Sequence, residues 1–184
     1  MIIWIMGLPA SGKTTLTTAV GRALIAAGHQ VIVLDGDEFR RGVGSDLGYT
    51  PAERRENLRR AVETACLLAN QGVFVLAAFI TPRENDRAFI AETVRRRAPE
   101  TGLLRVFLDA PVSACEARDP KGHYLRARRG EIANFTGVSA PFERPITTDV
   151  YIDTAATTPA QATSLLLQAL TRVLSEAPRG AIAG

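Results

Sequence analysis

The sequence contains few residues of the kinds that build metal centres, redox pairs or membrane spans. Its 184 residues include two cysteines and two histidines. Cys66 and Cys115 lie in helical apolar patterns without C-x-x-C spacing, so we expect buried thiols rather than a redox pair. His29 and His123 are far apart and form no pattern of metal ligands. No apolar run approaches the roughly 20 residues that cross a bilayer, so we expect no membrane partner.

Neither sign of charge is in large excess. The 22 basic and 19 acidic residues give a net charge of +3, which is too little to argue for a nucleic-acid partner. The length predicts a single domain over residues 1–177, and the small residues at 178–184 predict a disordered tail. The N-terminal apolar run is short and lacks a basic flank, so we interpret it as a core strand rather than a signal peptide. We therefore expect a cytoplasmic protein.

The first apolar run leads into a loop with a recognisable chemical pattern. Ile2 to Met6 reads as a strand, and GLPASGKT at 7–14 matches G-x-x-x-x-G-K-[ST] before a helix that begins at Thr15. In this setting backbone N–H groups and the helix dipole hold phosphate oxygens, while Lys13 reaches the β- and γ-phosphates and Thr14 binds Mg²⁺. We therefore expect a nucleoside triphosphate at this loop. The residues expected to bind it are Gly7, Pro9, Ala10, Ser11, Gly12, Lys13, Thr14 and Thr15.

Apolar strands alternate with amphipathic helices along the rest of the chain. Further strands are expected at 31–34, 73–80, 103–108 and 150–152, and helices at 15–27, 51–71, 84–97, 112–118 and 160–174. This alternation predicts a parallel sheet covered on both faces, with ligands at the carboxyl ends of the strands. Residues 119–145, with several Pro and Gly among many charges, are expected to form a mobile lid. The predicted fold class is α/β, a three-layer α/β/α phosphate-loop kinase fold with a mainly parallel five-stranded sheet and a lid.

Two carboxylates follow the apolar run at 31–34, which we interpret as a fully buried strand. Asp35 and Asp37 are two positions apart on the expected extended end, so both can face one site. One carboxylate, for which we take Asp35, can hold a Mg²⁺-bound water while the other accepts the proton of an acceptor hydroxyl. Asp-Gly-Asp alone is equally a plain turn, and the sequence does not decide which carboxylate is the base.

Polar side chains downstream of this pair indicate a second ligand. Arg40 lies three residues past Asp37, and Arg54 and Asn57 share one face of the helix predicted at 51–71. A guanidinium fork binds anionic oxygens, and an asparagine amide can read the edge of a base. For any single arginine the alternative is a solvated basic surface.

Five segments together resemble the adenylylsulfate kinase family, in a short form without the N-terminal extension. They are GLPASGKTT (7–15), DGDEFR (35–40), DLGYTPAERRENLRR (46–60), FITP (79–82) and CEARDPKGHYLRARRGEIANFTGVSAPFERP (115–145). The similarity runs from Ile3 to about Asp153, and RDPKG…FTG is much more specific than the phosphate loop. The resemblance implies a Mg²⁺-dependent enzyme, often a homodimer. Its reaction transfers the γ-phosphoryl of ATP to the 3′-hydroxyl of adenosine 5′-phosphosulfate (APS), giving 3′-phosphoadenosine 5′-phosphosulfate for sulfate assimilation.

The resemblance also implies a role for each matching residue. Asp37 would lie at the acceptor hydroxyl and act in catalysis with Lys13 and with Lys121, which enters from the lid. Arg118 would lie on the adenine of ATP. Tyr49 and Phe135 would clamp the adenine of the acceptor. The residues implied to bind the acceptor are Asp37, Arg40, Tyr49, Arg54, Asn57, Ile80, Thr81 and Phe135.

The chain departs from the family pattern at several positions. Tyr49 stands where Phe is usual, Thr81 for Ser, Arg83 for an aromatic residue, His123 for Leu and Ala133 for a lid Lys. The loss of a lid cation leaves a second hypothesis open, the same chemistry on another nucleotide conjugate such as a cytidine diphosphoramidate. A hypothesis of another class is a non-catalytic nucleotide-binding switch. A switch needs only the loop and a γ-phosphate sensor. It is disfavoured because this chain also has Asp37, the basic acceptor residues and a lid.

Overall fold

A five-stranded sheet forms the centre of the molecule. The structure is a computed structural model that describes residues 1–176. The strands are β1 (Ile2–Gly7), β2 (Val31–Asp35), β3 (Phe74–Ala78), β4 (Leu103–Asp109) and β5 (Val150–Asp153), in the order β2-β3-β1-β4-β5. All four pairings are parallel, which confirms the predicted sheet. The disordered tail predicted at 178–184 lies outside the described residues.

Helices cover both faces of the sheet. They are α1 (Lys13–Ala26), α2 (Gly36–Arg41), α3 (Pro51–Ala69), α4 (Glu84–Arg97), α5 (Val112–Arg118), α6 (His123–Arg128) and α7 (Pro159–Glu176). On one face, α3 and α4 pack around Trp4 and Val75, and on the other, α1 and α7 pack around Ile5 and Leu166. This confirms the three-layer α/β/α arrangement. Within residues 1–176, no helix has the length and apolar character that a bilayer span requires.

The start of α3 shows why capping signals locate helices well. The Thr50 hydroxyl accepts a hydrogen bond from the Glu53 N–H at 3.3 Å, and the Glu53 carboxylate accepts one from the Thr50 N–H at 3.0 Å. This reciprocal capping satisfies two backbone donors, and Pro51 fits the first helical position because its missing N–H would be unpaired there. The predicted start is therefore confirmed, as are both ends of α4 and of α5.

The prediction of a fully buried second strand is wrong. β2 lies at the edge of the sheet and pairs only with β3, leaving Ile32 37% and Val33 44% exposed. A continuous apolar run is typical of an inner strand of a parallel sheet, but the run alone does not determine where the strand lies in the sheet. The expected extended end is also wrong, because Asp35 caps the six-residue helix α2 by accepting a hydrogen bond from the Asp37 N–H at 2.9 Å.

The segment at 119–145 packs against the phosphate loop through a third apolar cluster. Its buried members come from the loop, the end of β4, α5 and the segment itself: Leu8, Ala110, Cys115, Tyr124, Ala127 and Phe135. The helix α6 inside this segment was not predicted, since it has six residues and no side-chain cap. Gly122 precedes it at φ 66°, a left-handed conformation that favours glycine. Both cysteines are free and buried, as predicted.

Candidate functional site

The loop between β1 and α1 forms a cradle for an anion. Ala10 and Gly12 have φ of 58° and 98°, left-handed conformations that turn successive backbone N–H groups to the same side. Gly12 precedes the 14-residue helix α1 without any side-chain cap, so the first N–H groups of that helix remain available. Gly7, at φ 153°, lies so close to β4 that a Cβ would come within 2.6 Å of the Leu108 carbonyl. A larger residue there would displace the loop.

Lys13 lies inside this loop with its ammonium group held by backbone carbonyls. Its Nζ donates to the carbonyl oxygens of Gly7 at 3.0 Å and Leu8 at 2.7 Å. Burial lowers the pKa of Lys13 to about 8, against the opposing effect of the nearby Cys115 and Asp35. An anion bound in the cradle would favour the charged amine and give it a better partner than the carbonyls.

Thr14 and Asp35 meet at the end of the loop. The Thr14 hydroxyl donates to Asp35 Oδ2 at 2.8 Å, while Asp35 Oδ1 accepts from the Asp37 N–H. Both oxygens of Asp35 therefore have protein partners. Oxygen ligands of this kind are the ones that Mg²⁺ prefers. Within the described part of the chain, side chains that could hold a metal form no group of three or more, so a Mg²⁺ ion here would also need oxygens from a nucleotide and water.

Asp37 is joined to the segment at 119–145 by an ion pair with Lys121, 84 residues away. Partial burial raises the pKa of Asp37, but the hydrogen bond and charge of Lys121 outweigh this effect and hold the pKa below its ordinary value. The same hydrogen bond raises the pKa of Lys121. The pair thus presents an ionised carboxylate and an ammonium group near the phosphate loop.

Arg40 and Arg54 lie over the exposed ring of Tyr49. Their guanidinium carbons are 4.6 Å and 5.4 Å from the ring centroid. Arg40 donates to the Gly48 carbonyl at 2.9 Å, and Arg54 donates to the Tyr49 carbonyl at 3.0 Å and to the Asn134 carbonyl at 2.8 Å. Arg54 therefore connects α3 with the segment at 119–145, and the two arginines together gather two cations around Tyr49.

Three more predicted acceptor residues are Asn57 and Thr81, which are buried, and Ile80, which is half-buried. Asn57 is 3% exposed, and its Oδ1 accepts no hydrogen bond from residues 1–176. Gly44 leaves room for that oxygen, since a Cβ on Gly44 would lie 2.4 Å from it. The carbonyl of Ile80 accepts a weak bond from the Gly7 N–H at 3.4 Å, and Thr81 follows with 1% exposure. These residues come from α3 and from the turn that follows β3.

Tyr49 and Phe135 were predicted to clamp the adenine of the acceptor between their rings. Within residues 1–176 the two rings make no contact with each other. Phe135 is 8% exposed and packs edge-on against Tyr124, with ring centroids 4.9 Å apart. Tyr49 instead carries the two arginines. Arg118 donates to the Thr154 carbonyl at 2.6 Å and to its hydroxyl at 3.1 Å. The adenine clamp and the Arg118 stacking therefore stay predictions.

One contact of the site was missed by sequence reasoning. The Tyr124 hydroxyl donates to the Pro9 carbonyl at 3.0 Å and so fastens α6 to the phosphate loop. Tyr124 is fully buried, and burial raises the pKa of its phenol. A lone tyrosine in a charged segment carries no spacing signal, and only the folded chain brings it to Pro9.

The chain is similar to proteins of one known family. The family described as Adenylylsulphate kinase matches residues 1–153. Adenylyl-sulfate kinases of Shewanella sp. strain ANA-3 and Paraburkholderia xenovorans strain LB400 are 44% and 50% identical. The first match covers 94% of this chain and 82% of the relative, and the second covers 83% of each.

Solved structures show the same fold. The APS kinase CysC of Mycobacterium tuberculosis, solved in complex with AMPPNP and APS, superposes with a TM-score of 0.89 at 37% identity, covering 92% of this chain and 96% of that one. Shikimate kinase of Aquifex aeolicus, at 16% identity and a TM-score of 0.54, shares the fold alone and covers 96% of this chain and 99% of its own. The phosphate loop, the Asp37–Lys121 pair and these matches together show that the chain belongs to the adenylylsulfate kinase family.

Proposed function

We propose that this protein is an ATP-dependent kinase that phosphorylates the 3′-hydroxyl of APS to give 3′-phosphoadenosine 5′-phosphosulfate. Family membership supports the reaction, and the Asp37–Lys121 ion pair carries the assignment to this site. A phosphate loop alone would serve any nucleotide-binding protein. Here the Asp37 carboxylate lies beside that loop and pairs with Lys121, which comes from the segment at 119–145. Phosphoryl transfer to a hydroxyl needs such a base and such a cation.

The donor half of the site is proposed to hold ATP by its phosphates. The N–H groups from Ala10 to Thr15 would bind phosphate oxygens, and Lys13 would leave its carbonyl partners for the γ-phosphoryl group as negative charge builds there. Thr14 and Asp35 would hold Mg²⁺, which supplies further charge neutralisation when bound. Arg118 would lie against the adenine.

The acceptor half is proposed to centre on Asp37. Both oxygens of Asp35 already have partners, so Asp37 is the better candidate to accept the proton of the acceptor hydroxyl. Its lowered pKa keeps it ionised at neutral pH, which suits a carboxylate that must accept a hydrogen bond. Arg40 and Arg54 would bind the anionic phosphosulfate, and Asn57 would offer its unpartnered carbonyl oxygen to a donor on the ligand.

Acceptor choice can be tested at Ala133, which is exposed next to Asn134 and so lies close to Arg54. We expect APS to be the best acceptor in a panel that includes cytidine conjugates. Ala133→Lys should lower the KM for APS by about 3- to 10-fold, because a charge-assisted hydrogen bond contributes about 1.5–3 kcal/mol before solvent screening. The KM for ATP should not change.

Ala133→Met is the matched control, since it adds length without charge and should leave the KM for APS unchanged. Steady-state kinetics across the panel measures both variants. A higher kcat/KM for a cytidine conjugate than for APS would favour the second hypothesis and leave the kinase assignment in place.

We also propose that residues 119–145 act as the lid of one domain spanning residues 1–177. Besides the apolar cluster described above, polar contacts hold this segment over the site, among them Lys121 to Asp37, Tyr124 to Pro9 and Arg54 to Asn134. Trypsin should cut at the exposed Arg126, Arg128 and Arg129 in the free protein, and should cut more slowly when nucleotides fill both halves. Cleavage at Arg95 on α4 serves as the reference, and equal lid cleavage with and without ligands would contradict the proposal.

A homodimer is proposed to form through the edge strand β2. The Phe74 N–H donates to the Gln30 carbonyl, so in a parallel ladder the backbone groups of Val31 and Val33 face away from β3. A second copy could pair antiparallel with β2 about Val33, which would place Ile32 of one copy opposite Leu34 of the other. This pairing would bury the apolar edge strand, whose sequence is typical of a buried strand. Light scattering should report a dimer that Val33→Lys dissociates, while Leu165→Lys on α7 leaves it intact. A monomeric wild-type protein would overturn this assignment.

The reaction consumes ATP, and we propose the cytoplasm as its location for that reason. Cell fractionation with antibody detection measures it, and recovery of the protein in another compartment would contradict the proposal.

A further inference from the structure

A buried hydrogen bond links the central strand of the sheet to the turn at 79–82. The indole Nε1 of Trp4 donates to the Thr81 hydroxyl at 2.9 Å, with both residues about 1% exposed. Trp4 lies in the middle of β1, and Thr81 lies just beyond the end of β3. A buried indole N–H without a partner is costly, so this bond fixes the position of the hydroxyl relative to the sheet.

Thr81 needs such a constraint because of its backbone. Its φ is 46°, a left-handed conformation that a β-branched residue rarely adopts. Strained backbone of this kind persists only where surrounding contacts hold it, and it occurs preferentially at functional sites. A second contact comes from the buried Arg87, whose Nε donates to the Thr81 carbonyl at 3.2 Å and whose Nη2 donates to the Pro82 carbonyl at 3.2 Å.

Aromatic packing extends this constraint to the other side of the site. The Trp4 ring stacks on Phe79, with centroids 5.2 Å apart and planes at 19°. Phe79 in turn meets the ring of Phe39 edge-on at 5.8 Å. Phe39 lies in α2 between Asp37 and Arg40, so one aromatic row connects the turn at 79–82 with the helix that carries these two residues.

We propose that Trp4 is a positioning residue of the acceptor site. Its N–H holds Thr81 in the left-handed conformation, and this sets the shape of the turn through which Ile80 and Thr81 line the acceptor pocket. The inference rests on the proposed function only in taking that turn as the wall of the pocket. Trp4 itself touches neither nucleotide in this assignment.

Two substitutions remove the hydrogen bond from opposite ends. Trp4→Phe keeps an aromatic ring to stack on Phe79 but has no N–H, and Thr81→Val keeps the β-branched shape but has no oxygen. Each should raise the KM for the acceptor by about 3- to 10-fold, the range that follows from losing one buried hydrogen bond. The KM for ATP should stay within about twofold, and the double variant should be no worse than either single one.

Two controls separate positioning from general destabilisation. Thr81→Ser keeps the hydroxyl that accepts the Trp4 N–H, so it should recover most of the acceptor affinity that Thr81→Val loses. Leu170→Ala opens the core between α7 and the sheet, away from the turn, and should lower the Tm without raising the KM for the acceptor. Equal shifts in both KM values, or an unchanged acceptor KM in Trp4→Phe and Thr81→Val, would overturn the proposal.

Trp4 is the single tryptophan of the chain, so its fluorescence reports the bond directly. Thr81→Val should shift the emission maximum, while Thr81→Ser should not. The kinetics use whichever acceptor the wild-type protein turns over best. A preferred acceptor other than APS would therefore overturn the proposed substrate and still leave the role of Trp4 open to the same measurement.

Discussion

Replacement of Lys13 by alanine should lower kcat by at least about 10²-fold. The ammonium group would otherwise neutralise charge that develops on the γ-phosphoryl group in the transition state. The fold should persist, because Lys13 Nζ bonds only the loop carbonyls of Gly7 and Leu8. Coupled-enzyme kinetics and a thermal melt measure the two quantities separately.

Lys13→Arg is the matched variant, since it keeps the charge but not the compact geometry of an ammonium group, and it should also be slow. Because burial lowers the pKa of Lys13 to about 8, the free amine loses its charge as the pH rises above that value. Bound ATP favours the charged amine, so ATP affinity should fall above about pH 8 in the wild type and not in Lys13→Ala. Wild-type turnover in a folded Lys13→Ala protein would remove the phosphate-loop assignment.

Asp37→Asn should lower kcat by about 10²-fold or more while ATP affinity changes by only a few-fold. The amide keeps a polar contact with Lys121 but cannot take up the proton of the acceptor hydroxyl. ATP should still bind, because Asp37 donates only its backbone N–H to Asp35 and its side chain lies toward the segment at 119–145. Kinetics together with calorimetric ATP titration would separate the two effects.

Glu38→Gln provides the control one residue further along α2, where an exposed carboxylate pairs with Arg41. It should retain full activity. Loss of ATP binding in Asp37→Asn would instead place Asp37 in the metal site and make Asp35 the better candidate for the base.

Local signals along the sequence predicted much of the fold. The Thr50-Pro51-Glu53 signature located the start of α3, and the glycines and lysine at 7–13 located the phosphate cradle. These features depend on neighbours within a few residues, so their physics can be read from the chain. The position of β2 in the sheet depends instead on which strands pair with it, and these are distant in sequence. An apolar run that is typical of an inner strand therefore lies at the edge.

The contacts among the candidate site residues were less predictable than the local signals that pointed to each of them. Asp37 and Lys121 were both singled out, but the distance of 84 residues between them concealed their ion pair. Tyr124, which bonds Pro9, was not singled out at all. Such contacts arise when α6 packs on the loop, and short helices without caps leave almost no trace in a sequence.

The Asp37–Lys121 pair and the carbonyl-bound Lys13 have a consequence for chemical labelling. Lys13 and Lys121 are the two lysines of the entire chain, whose other side chains of permanent positive charge are all arginine. Acylating or alkylating reagents selective for amines thus have no lysine targets outside the site. Isotope-labelled methyl groups added to these amines would report on the proposed donor and acceptor halves of the site separately in a single spectrum, whereas in most proteins such labels are spread over the whole surface.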